Sequence, residues 1–155
     1  MDLKMRTPFY IAGAMLSCLL NITPALAQSD APVTYYHDAG SKWPFSPAVR
    51  VGDVIYLSGQ VGFDANGHLP GGMEAQARAA MNNVAATAKR AGVGMDNVFK
   101  CTVMLSDMKQ WPTFNKIYVE YFKPDRLPAR TAFGANGLAL GALLEIDCMA
   151  AAPAK

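Results

Sequence analysis

GGMEAQARAAMNNVAATAKRAGVGMDNVFKCTVMLSD, residues 71–107, changes its apolar period partway along, and that change points to the fold class. In the first half Met73, Ala77, Met81, Val84 and Ala88 recur at steps of three and four. This spacing predicts a helix over 74–91 with one apolar stripe. Lys89 and Arg90 fall in its last turn, where cations complement the helix dipole, and Gly92 can take the left-handed position that ends it. From Val98 the period drops to two: Val103 and Leu105 alternate with Thr102 and Met104, which reads as a strand.

Working outward toward the C-terminus, Asp107 can cap a second helix and Pro112 is acceptable in its first turn. Trp111, Phe114, Tyr118 and Phe122 give that helix an aromatic face, and Pro124 ends it. Aromatic residues at helical spacing read as core rather than as a platform for stacking bases. LPARTAF (127–133) follows, then a Gly-rich turn over 134–141, then LLEIDCMA (143–150). The last run is strand-like and apolar except for Glu145 and Asp147, which share one face of the strand. Toward the N-terminus, Val49 and Val51 are separated from the run Val54 to Leu57 by Gly52-Asp53, a hairpin signal. Residues 28 to about 43 are polar without a clear period and read as an extended arm. The order strand-strand-helix-strand-helix-strand-strand implies an α+β layer, with two helices packed on one sheet face.

Residues 1–27 read as a targeting segment. Lys4 and Arg6 precede an uncharged apolar run from Phe9 to Leu20, and Pro24 precedes Ala25-Leu26-Ala27. A charged start, a short apolar stretch and a small-residue exit describe a secretory signal peptide. Cleavage after Ala27 leaves a single mature domain, residues 28–155, free of the membrane and periplasmic or secreted. The apolar run is shorter than the ~20 residues a membrane span needs, which weighs against an uncleaved anchor. Leu16-Ser17-Cys18 loosely resembles a lipoprotein motif, with Met15 where such motifs usually carry Leu.

Charge narrows the function classes. The 155 residues carry a formal net charge of only +2, with Lys and Arg scattered, so no basic face for nucleic acid is visible. His37 and His68 stand outside any metal-ligand spacing, and no metal site is read. Cys101 and Cys148 both lie in apolar alternating segments, which favours small buried hydrophobes over a bridge or a metal ligand. Whether they pair depends on their separation in space.

Several short segments stand in a telling order: Tyr56-Leu57-Ser58-Gly59-Gln60, Glu74-Ala75-Gln76-Ala77-Arg78 and Asn82-Asn83-Val84 in the first half. Lys100-Cys101-Thr102-Val103, Ser106-Asp107-Met108, Phe114-Asn115-Lys116-Ile117-Tyr118, Pro128-Ala129-Arg130 and Glu145-Ile146 follow in the second. Together and in register they resemble the Rid (reactive intermediate deaminase, YjgF-like) family. The resemblance spans nearly all of 45–151. It implies a chorismate-mutase-like α+β domain with a mixed sheet, forming a homotrimer with ligand clefts between subunits. It further implies hydrolytic deamination of 2-imino or enamino acids to 2-keto acids and ammonia, without cofactor or metal.

In the resemblance Arg130 holds the substrate carboxylate, a task suited to a planar guanidinium that can offer two parallel donors. Glu145 helps place the attacking water. Ser58 and Gly59 form cleft wall, and Phe45 and Ala132 complete the substrate-binding set. At two positions the chain departs from the pattern: Phe45 stands where many relatives have a tyrosine, and Ala132 where many have a polar or thiol side chain. Carboxylate capture survives both changes, whereas water activation is left open. Three readings follow: an imine deaminase, a non-catalytic trimer binding small carboxylates, and the endoribonuclease activity sometimes attributed to the family. The third ranks last, because acid–base cleavage of RNA calls for groups such as paired histidines that the chain does not show. From the residues alone, Arg130 could equally serve a surface salt bridge, Glu145 an ion pair with Arg130, and Asn115 a structural hydrogen bond.

Overall fold

A computed structural model describes residues 31–37 and 39–153. The signal peptide and Cys18 expectations lie outside them. Six strands form one sheet: β1 (Val33–Tyr36), β2 (Ala48–Val51), β3 (Val54–Val61), β4 (Val98–Leu105), β5 (Ala129–Gly134) and β6 (Leu144–Ala151). Two helices, α1 (Met73–Arg90) and α2 (Trp111–Tyr118), complete the domain. The strand order is β1-β2-β3-β6-β4-β5, antiparallel throughout except for the parallel pair β4 and β5. The last strand to be made is therefore central, with β3 on one side and β4 on the other.

Most expected elements form for the expected reasons. Gly52 adopts a left-handed φ of 58° in the two-residue turn between β2 and β3. Helix α1 ends at Gly92 (φ 82°), with Gly92 N–H donating to Lys89 and Val93 N–H to Ala88, the paired bonds of a Schellman cap. Its apolar stripe buries Met73, Ala77, Ala80, Met81, Val84 and Ala88 in one core with Ile55, Leu57, Leu144 and Ile146. Each of the large buried side chains there contributes about 1.5–3 kcal/mol. Among the described residues Gln76 and Thr87 are the buried polar ones; the Gln76 amide donates to Pro70 O (2.9 Å) and accepts from Leu143 N (2.8 Å), so both its nitrogen and its oxygen have a partner.

Three expectations need correction. The polar arm contains a strand, β1, paired with β2. Its residues are mostly exposed at the sheet edge, so no alternation marks it. The second helix is shorter than the distance to Pro124 suggests. Asp107 Oδ1 caps a 3₁₀ turn, 108–110, that leads into α2, and a second 3₁₀ turn, 119–121, tightens its end before Phe122 becomes extended.

Cys101 and Cys148 are buried, as read, but joined: the register of β4 against β6 sets them opposite each other, and they form a disulfide. The bond closes a loop of 47 residues and should stabilise the fold by about 2–4 kcal/mol. Replacing both cysteines by alanine is expected to lower the urea-unfolding free energy by that amount. A midpoint that neither this variant nor a reductant moves would show that the strand pair holds without the bond.

Candidate functional site

Arg130 stands near the start of the edge strand β5, directly opposite Cys101 of β4. Paired residues in neighbouring strands share a sheet face, so Arg130 points to the helix-covered side, together with Cys101 and Cys148. There α2 receives it. The guanidinium carbon lies 4.4 Å from the ring centroid of Trp111 and 4.4 Å from that of Tyr118. Its Nη2 donates to Asn115 Oδ1 at 2.7 Å. Trp111, Asn115 and Tyr118 are spaced i, i+4, i+7, so one helix face builds the whole cradle.

Two aromatic faces attract the cation, and the amide fixes its plane. Burial pushes the Arg130 guanidinium below its usual value, and the charge remains at neutral pH. Burial also pushes the Tyr118 hydroxyl up to about 12, keeping it neutral beside the cation. Arg130 Nη1 and Tyr118 Oη are both buried without a hydrogen-bond partner among the described residues. A buried guanidinium nitrogen with donors to spare is suited to an anion.

Glu145 belongs to a second station. Its partner in β4 is Met104, which pairs with Phe133 of β5, so Glu145 faces away from the helices. The ion pair with Arg130 that the residues alone left open is therefore not made: the two residues of one chain lie on opposite faces of the sheet. Glu145 sits instead at a cavity of ≈ 300 Å³ lined by Trp43, Phe45, Gly59, Phe63, Leu140 and others, including Asn83 and Arg90 of α1.

The local backbone explains this gathering. Strand β2 pairs with β3 only as far as Leu57, leaving the rest of β3 open on that side. A bulge follows, where Ser58 and Gly59 together oppose Asp147 of β6. Gly59 lies so close to Glu145 that a methyl group there would overlap Glu145 Oε1. The Ser58 hydroxyl donates to Ser46 O (2.7 Å) and its N–H to Pro47 O (2.9 Å). Ser58 thus ties down the segment that presents Phe45. Asn83 Nδ2 donates to the carbonyls of Val61 (3.0 Å) and Phe63 (3.1 Å), fixing the cavity's other wall.

Of the residues singled out in the sequence, Phe45, Gly59 and Glu145 line one cavity, Ser58 stands behind it as the tether of the Phe45 segment, and Arg130 and Ala132 share the other sheet face. Asp147 lies on the same face as Glu145, where burial pushes its carboxyl up despite Thr102 and Lys100. Trp111 and Tyr118 were read only as core, yet they also flank Arg130; their spacing around Asn115 was the available signal. Trp43 and Leu140 carried no signal. Leu140 adopts φ 58°, ψ 20°, the one left-handed non-glycine among the described residues, a conformation that costs about 1–2 kcal/mol.

A family model described as endoribonuclease L-PSP matches residues 37–152. The 2-iminobutanoate/2-iminopropanoate deaminase of Mus musculus is 44% identical over 109 residues, 69% of this chain and 80% of that protein. Its Homo sapiens counterpart is 41% identical over 113 residues, 72% of this chain and 82% of that protein. Among solved structures, RidA from an Antarctic Psychrobacter matches with a TM-score of 0.71 at 30% identity, covering 76% of this chain and 98% of that one. E. coli TdcF with bound serine matches with a TM-score of 0.70 at 25% identity, covering 77% and 99%. With one model spanning strands β2 to β6 and both helices, and relatives above 40% identity across most of their own length, the chain belongs to the endoribonuclease L-PSP (Rid/YjgF) family.

Proposed function

We propose that the protein hydrolyses 2-imino acids to 2-keto acids and ammonia, in clefts that join Arg130 of one copy to Glu145 of another within a homotrimer. The observation that carries this reading is the buried, unpartnered Arg130 Nη1, held between two rings on a helix face. The opposite facing of Arg130 and Glu145 within one chain supports assembly, since only a second copy can supply both to one ligand. So does the open sheet face, which carries Tyr56, Met104, Phe133 and Met149 alongside Glu145. The deaminase names of the relatives support the reaction.

The chemistry asks little of the protein. Arg130 would hold the substrate carboxylate through charge-assisted donors. Glu145 would orient a water toward the imine carbon and accept its proton. The carbon–oxygen bond forms as the C=N double bond opens; the proton taken by Glu145 passes to the nitrogen, and the carbon–nitrogen bond breaks as the hydroxyl gives up its own proton to leave C=O. An iminium and water give a keto acid and ammonium, with atoms and charge in balance. Positioning and charge placement suffice for an addition that already proceeds in water. A second reading, a non-catalytic trimer that binds small carboxylates, is favoured by Phe45 and Ala132, which offer no hydroxyl or thiol to hold the water. Endoribonuclease activity, after the family description, ranks behind both, given the scattered charge.

A shared cleft makes a specific prediction. Arg130→Lys keeps the charge but loses the fork, and should weaken 2-keto acid binding by about 2–5 kcal/mol. Glu145→Gln should bind normally and fail to accelerate hydrolysis of 2-iminopropanoate. Co-expressed, the two inactive variants should regain activity at about a quarter of their sites, the share expected from random mixing in a ring of heterologous contacts. No recovery would overturn the shared cleft. A wild type that binds keto acids without any acceleration would select the binding reading.

Gly59→Ala should leave the thermal midpoint nearly unchanged, because the three atoms nearest the added methyl all belong to the Glu145 side chain, which can swing aside. Displacing that carboxylate by an ångström should reduce turnover by about 10²-fold. Full activity in this variant would remove Glu145 from the mechanism.

We also propose an exported mature protein beginning near Gln28. The Cys101–Cys148 disulfide supports an oxidising compartment. Mass spectrometry of the native protein should find that N-terminus; an intact Met1, or a lipid on Cys18, would overturn it.

A further inference from the structure

Three large apolar side chains stand exposed around the Glu145 cavity: Leu140 at 71%, Trp43 at 64% and Phe45 at 51%. Single exposed apolar residues are ordinary on a soluble surface, but three around one cavity form a patch. Trp43 stacks on Phe45 with centroids 5.9 Å apart and planes at 29°, making one continuous wall. Leu140 also lines the cavity, from a left-handed backbone position that glycine would adopt without strain. A branched apolar side chain kept where the backbone favours glycine suggests a contact that offsets the strain. Val61 and Phe63 extend the apolar lining. Arg90, on the α1 side, is engaged with Thr87 Oγ1 at 3.1 Å.

This lining decides how a ligand can lie. The Glu145 carboxylate repels a second carboxylate, so the acid end of the substrate belongs at Arg130 of the neighbouring copy. With the imine carbon beside Glu145, its remaining substituent faces the apolar rim. A methyl group there would leave most of ≈ 300 Å³ to water, whereas a branched or aromatic group fills it. We infer that the preferred substrates are 2-imino acids with large apolar side chains, branched aliphatic or aromatic, selected by Trp43, Phe45 and Leu140. The inference rests on the shared-cleft reading above.

Binding and turnover test it separately. Calorimetry with pyruvate, 4-methyl-2-oxopentanoate and phenylpyruvate measures the side-chain pocket without chemistry. Each extra buried methylene is worth roughly fourfold in affinity, so the two larger acids should bind at least tenfold tighter than pyruvate. Trp43→Ala and Leu140→Gly should each bring that ratio toward one. Leu140→Gly should keep or raise the thermal midpoint, which separates loss of selectivity from loss of fold. Equal affinity for all three acids, or a ratio that neither variant moves, overturns the inference.

Turnover is then compared for imines generated in place from alanine and from leucine by an amino-acid oxidase. Acceleration of both without preference for the leucine product overturns the inference and leaves the deaminase reading standing. No acceleration of either, with the binding ratio intact, overturns the deaminase reading and leaves the apolar pocket standing.

Discussion

Strand β6 is hydrogen-bonded to β3 on one side and β4 on the other, and this double pairing sets the position of nearly every functional group. Its alternation sends Leu144, Ile146, Cys148 and Ala150 into the core, and turns Glu145 and Asp147 to the opposite face. Pairing with β4 brings Cys148 against Cys101 and, one strand further, aligns Arg130 with that buried row. Pairing with β3, interrupted by its bulge, brings Gly59 against Glu145. A slip of one residue in either register would exchange the two faces, burying carboxylates and exposing the core. The interior and the site are thus specified by the same backbone bonds.

Much of this was legible beforehand because it rests on local rules. The change from a helical to a two-residue period after Gly92 located α1 and β4, and Gly52-Asp53 located the β2–β3 hairpin. What escaped was non-local. β1 has no buried face to write an alternating pattern, and it exists because the β2 edge is available to it. The disulfide depended on the register of two strands separated by α2 and β5 in the chain.

The site divided in the same way. Resemblance marked Arg130, Glu145, Ser58 and Gly59, but only the strand pairings revealed that the first two diverge from a common sheet. Ser58 proved to be a tether for the Phe45 segment, a role invisible until Ser46 and Pro47 came alongside. Trp43 and Leu140 went unread because one lies in a stretch without period and the other in a Gly-rich turn. Neither composition hints at a cavity.

The cradle around Arg130 also bears on how binding energy is divided. Long flexible cations usually surrender rotamer freedom when they meet an anion, and that loss is subtracted from affinity. Here Trp111, Tyr118 and Asn115 restrict the guanidinium as soon as α2 docks on the sheet. The ordering is completed during folding, and under the proposed function a carboxylate would meet a donor plane already oriented. Under the proposed carboxylate role, affinity at Arg130 would be coupled to the stability of a helix of only eight residues, so that loosening α2 would weaken binding even with every ligand contact left in place.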